Sequence, residues 1–66
     1  SQVSLPRLID RSRQLHERTA SITRLRQYVY RWLLWHHSGL SGWTARGRNF
    51  QWVWGYVTNR LKIDTG

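Results

Sequence analysis

The sequence predicts a mainly α-helical protein: a long N-terminal amphipathic helix over about 4–37, a glycine turn, and a second aromatic-rich helix over about 49–62 that folds back as a helical hairpin. Three observations predict it. Apolar residues recur at helical intervals from Leu5 to Leu33, a helix-stop signal follows at His36-His37-Ser38-Gly39, and a second helical stripe runs through Phe50, Val53, Trp54, Val57 and Leu61.

The first helix begins well. Ser4 is a favoured N-cap, and Pro6 falls in the first turn, where a missing N–H costs nothing. Leu5, Leu8, Ile9, Ser12 and Leu15 share one face, while Arg7, Asp10, Arg11, Gln14, Glu17 and Arg18 share the other. Asp10 is spaced to pair with Arg7 or Arg13.

Leu8, Leu15, Ile22 and Val29 recur every seventh residue as a helix-pairing column. Its companion column is interrupted by Ser12, Thr19 and Arg26. Thr19-Ala20-Ser21 is the weakest stretch of the run, since Thr19 or Ser21 is able to cap a second helix. No Gly or Pro forces a break there, so one helix about 50 Å long is the expectation.

From Leu25 the face turns aromatic. Ile22, Leu25, Val29, Trp32, Leu33 and His36 share a side, flanked by Tyr28 and Trp35, with Arg24, Gln27 and Arg31 opposite. Histidines in the last turn complement the helix dipole, and Gly39 suits a left-handed cap with Leu40 as its apolar contact.

The tail admits two patterns. With a period of two, Phe50, Trp52, Trp54 and Tyr56 line one face, and a β-hairpin over 43–58 results. With the helical period, Asn49 caps a segment whose stripe also includes Leu61. Gly55 costs that helix about 1 kcal/mol. The helix is preferred because its length is ordinary for a helix and long for a strand.

Sixty-six residues suffice for one small domain, 1–66, burying about 60% of its unfolded surface. Without cysteine it has no disulfide or thiolate metal site to add stability. Packing of its five Trp, three Tyr and one Phe, self-association or a partner must supply that stability. No apolar run is long enough to span a membrane, and no signal-peptide pattern is present. An intracellular location is favoured, with organellar and secreted locations left open.

The net charge is +8, and ten of the eleven basic residues are Arg. Guanidinium groups suit bidentate phosphate contacts and stacking on rings. This points to an anionic polymer or surface, nucleic acid first and anionic lipid second. Catalysis is not expected: the three acids are scattered, and no Ser, His and carboxylate stand at a useful spacing. Two adjacent histidines point about 100° apart on a helix, so no metal or cofactor is implied.

The function expected is therefore a non-enzymatic small basic binding protein, most simply a nucleic-acid binder. Arg7, Arg11, Arg18, Arg24 and Arg31 would form a basic stripe down the outer helix face, extended by Arg46, Arg48, Arg60 and Lys62. Tyr28, Trp32, Trp35, Trp43, Trp52 and Trp54 are the candidate stacking or partner surface. One alternative is a helical interaction subunit that assembles with itself or a larger complex through Leu8, Leu15, Ile22 and Val29. The other is a membrane-surface cationic amphipathic protein.

Overall fold

A computed structural model describes residues 4–37 and 42–64. Among them are three helices, α1 (Leu5–Arg18), α2 (Ile22–His36) and α3 (Arg48–Leu61), and no strand. The mainly α class and the helical second segment hold. The β-hairpin over 43–58 does not. The expected cap at Gly39 and its contact at Leu40 lie outside the described residues.

The single helix over 4–37 is corrected to two. Thr19 and Ser21 are extended, with φ/ψ of −148°/137° and −86°/118°. Short polar side chains stabilise the break locally. Arg24 N–H donates to Ser21 Oγ at 3.2 Å, and Ser21 N–H donates to Thr19 Oγ1 at 3.1 Å. Packing supplies the larger reason. A helix about 50 Å long exceeds the molecule's longest extent of 29 Å. Broken at 19–21, the chain packs each helix against both others.

The core lies where the three apolar stripes meet. Leu8, Ile9 and Leu15 of α1 join Leu25, Val29 and Leu33 of α2, and Phe50, Val53, Trp54 and Val57 of α3. Each fully buried Leu, Val or Phe contributes about 1.5–3 kcal/mol of transfer free energy. The seven-residue column is thereby occupied within the chain: Leu8, Leu15 and Val29 are buried, and Ile22 packs half-buried beside them. Trp54, expected among the exposed stacking rings, is only 8% exposed and belongs to this core.

Segment 42–47 is tied to α2 by side chains. Tyr30 O–H donates to the Trp43 carbonyl at 2.6 Å, and the Arg26 guanidinium donates to the Ala45 carbonyl. Arg26 also lies 4.9 Å over the Phe50 ring, which meets Tyr30 edge-on at 5.1 Å. Gly47, not Asn49, caps α3. A Cβ at Gly47 would meet Thr44 Oγ1 at 2.9 Å, so this close turn excludes a side chain without movement. At the far end Lys62 takes the left-handed conformation, φ 57°. Its N–H donates to the Asn59 carbonyl at 3.2 Å and that of Ile63 to the Thr58 carbonyl at 2.9 Å. This is the Schellman closure with Lys62 where glycine is usual, and Ile63 packs on the core.

Candidate functional site

Breaking the first helix changes what its arginines do. In one straight helix, Arg7, Arg11 and Arg18 would fall within about 40° of one another, with Arg24 and Arg31 roughly 100–160° round the axis. Folded at 19–21, the chain sets Arg11 and Arg18 of α1 across a groove from Arg31 of α2. The groove encloses ≈ 460 Å³.

Helical spacing explains both walls. Arg11, Leu15 and Arg18 stand at i, i+4 and i+7 on α1, and buried Leu15 gives the groove an apolar base. Tyr28, Arg31, Trp32 and Trp35 stand at i, i+3, i+4 and i+7 on α2, with His36 beside them. Among the described residues no acidic side chain lines this groove. Arg7 joins Arg11 and Trp32 in a shallower depression along α1, where Asp10 also lies, 3.9 Å from Arg13. The basic surface therefore runs from Arg7 through Arg11 to Arg18 and Arg31.

The rings differ in what they have left to offer. Trp32 is half-buried, tilted at 30° against His36 with centroids 4.9 Å apart, and edge-on at 5.5 Å to buried His37. Trp35 is 85% exposed and has no ring contact among the described residues. Exposing so much indole without a partner gives up stabilisation that burial would supply. Arg11 is already partly engaged within α1. Its Nη1 donates to Gln14 Oε1 at 3.3 Å, but its buried Nε has no partner among the described residues.

The other expected site residues are not gathered here. Arg24, Arg46, Arg48, Arg60 and Lys62 are exposed but line neither the groove nor the depression beside it. Trp43 is half-buried against the core under Tyr30. Trp52 is 64% exposed on α3 and stacks on Tyr56 at 6.3 Å. His36, placed by the sequence on the Trp32 side of the helix and read there as a dipole partner, lines the groove. Arg26 is structural: its charge is turned inward to a carbonyl and a ring.

Among the described residues no group of three His, Cys, Asp or Glu side chains could hold a metal ion, and no helix is long and apolar enough to cross a membrane. No protein-family model matches the chain, and neither a characterised protein nor a solved structure is significantly similar to it.

Proposed function

We propose that this chain is a non-enzymatic nucleic-acid-binding module whose α1–α2 groove holds the phosphate backbone. One observation carries the reading: Arg11, Arg18 and Arg31 converge on a groove lined by no acid among the described residues, beside an indole that is 85% exposed. Guanidinium groups supply charge-assisted contacts to phosphate, and rings supply stacking that tolerates any base.

Charge placement at the helix starts runs against the stability of the fold. Each helix has an Arg in its first turn, Arg7, Arg24 or Arg48, and none has an acid there. A helix N-terminus favours negative charge, so each of these cations opposes stability by about 0.3–1 kcal/mol at low salt. Their number is not explained by stabilising the fold.

The competing readings fit the geometry less well. An interfacial membrane helix keeps rings on one face and arginines on the opposite one. On α2, Arg31 stands among Tyr28, Trp32 and Trp35 on a single face. An assembly subunit built on the seven-residue column meets a different difficulty, because Leu8, Leu15 and Val29 already fill the chain's own core.

The test is a titration with a labelled oligonucleotide at several salt concentrations, with anionic vesicles in parallel. The proposal expects affinity to fall steeply between roughly 50 and 300 mM salt. Affinity unchanged over that range, or binding to vesicles alone, rejects it.

A further inference from the structure

We infer that the α1–α2 groove takes a single strand in preference to a duplex, with one unpaired base stacked on Trp35 and the flanking phosphates held by Arg18 and Arg31. This rests on the nucleic-acid reading above and specifies the class of ligand.

The first reason is the state of the Trp35 ring. It is 85% exposed, and no other ring of the described chain stacks on it. A flat apolar face laid on the indole recovers what that exposure gives up. In a duplex the base faces are already stacked on one another, and only the base edges reach the grooves. An unpaired base offers its whole face.

Shape is the second reason. Duplex recognition in the major groove uses a protruding helix or ribbon. Here the cations line a concave surface between two helices, with Leu15 at its base. A rigid duplex would lie across the rims and leave the ring outside its base stack. A flexible strand can turn one base toward α2 while its backbone crosses between Arg18 and Arg31.

The third reason is continuity. Arg31 also lines a second groove of ≈ 670 Å³ on α2, with Thr23, Gln27, Tyr30 and Leu34. A strand leaving the first groove over Arg31 therefore meets a hydroxyl and an amide able to bond base edges. Base and phosphate are common to RNA and DNA, so both sugars fall within the inference.

The experiment uses the whole chain and three labelled probes of about 12 nucleotides: an RNA strand, a DNA strand of the same sequence, and the DNA duplex. Anisotropy is read at low salt for the unaltered chain, Trp35→Ala and Trp52→Ala. Trp52 serves as an exposed tryptophan that does not line the groove. At least one strand is expected to bind roughly tenfold tighter than the duplex, with Trp35→Ala weakening that strand by roughly tenfold and Trp52→Ala by less than about twofold. Circular dichroism of Trp35→Ala is expected to match the unaltered chain, because the removed side chain is exposed. Equal affinity for strand and duplex, or equal loss in the two variants, overturns the inference and leaves the nucleic-acid reading standing. No binding to any probe overturns both.

Discussion

Arg26 separates structural from ligand-directed charge most sharply. Replacing it by Met keeps an unbranched apolar stem but removes the guanidinium. Two contacts are lost, the bond to the Ala45 carbonyl and the position 4.9 Å over the Phe50 ring. A hydrogen bond from a charged donor contributes about 1.5–3 kcal/mol, and a cation over a ring about 0.5–1 kcal/mol at exposed sites. The side chain is half-buried, so water recovers part of both, and the low end of the sum, about 2 kcal/mol, is the appropriate figure. In a domain of this size that lowers Tm by roughly 8–16 °C. It is also a large share of the roughly 3–5 kcal/mol that so small a core supplies. Thermal unfolding followed by circular dichroism measures the shift. Below Tm, Arg26→Met is expected to keep the salt dependence of nucleic-acid binding. A fall in Tm of less than about 3 °C, corresponding to well under 1 kcal/mol, would refute the clamp and return Arg26 to the pool of surface charge.

Two further substitutions test the helices. Gly55 lies within α3, its added Cβ meets nothing within 4 Å, and its φ is not positive, so Gly55→Ala is expected to raise stability by about 1 kcal/mol in denaturant unfolding. A loss of stability would show that the backbone at Gly55 needs the missing side chain. Ser21→Ala removes the acceptor of the Arg24 N–H and is expected to cost about 1 kcal/mol, seen as a lower midpoint with an unchanged slope. No change would mean that the Ser21 cap does not set the break at 19–21.

Much of the fold was legible because periodicity reports burial directly. Leu8 and Leu15 on the first apolar face, and Leu25, Val29 and Leu33 on the next, are core, as are Phe50, Val53 and Val57. The break after Arg18 was visible only as a weakness. Thr19 and Ser21 stabilise it through two local bonds, and no Gly or Pro announces it. Its larger cause is tertiary: α3, fourteen residues long, covers only about 21 Å of any partner. A longer uninterrupted helix would leave much of its apolar stripe in water.

The site followed the same division. The intervals joining Arg11 to Arg18 and Tyr28 to Trp35 stand in the sequence. What sequence could not supply was their meeting across a groove, which depends on the break. Trp54 and Arg26 were opaque for a related reason. Trp54 stands both on the helical stripe with Phe50 and Val53 and among the candidate stacking rings, and periodicity alone does not choose between the two. An arginine within the stripe gives no sign that a carbonyl nineteen positions away, at Ala45, accepts from it.

On the proposed reading, position rather than net charge makes the groove the binding surface. That is tested most directly by comparing two triple variants that each remove three positive charges. One is Arg11→Gln, Arg18→Gln and Arg31→Gln, within the groove. The other is Arg24→Gln, Arg46→Gln and Arg60→Gln, exposed elsewhere. The measurement is the slope of log affinity against log salt for a single-stranded oligonucleotide, with both variants folded. Three lost phosphate contacts at about 0.7 each reduce the steepness of that slope by about 2 for the groove variant. The outer variant is expected to keep the slope of the unaltered chain. Equal slopes in the two variants would contradict the claim, leaving a protein that binds by diffuse charge alone.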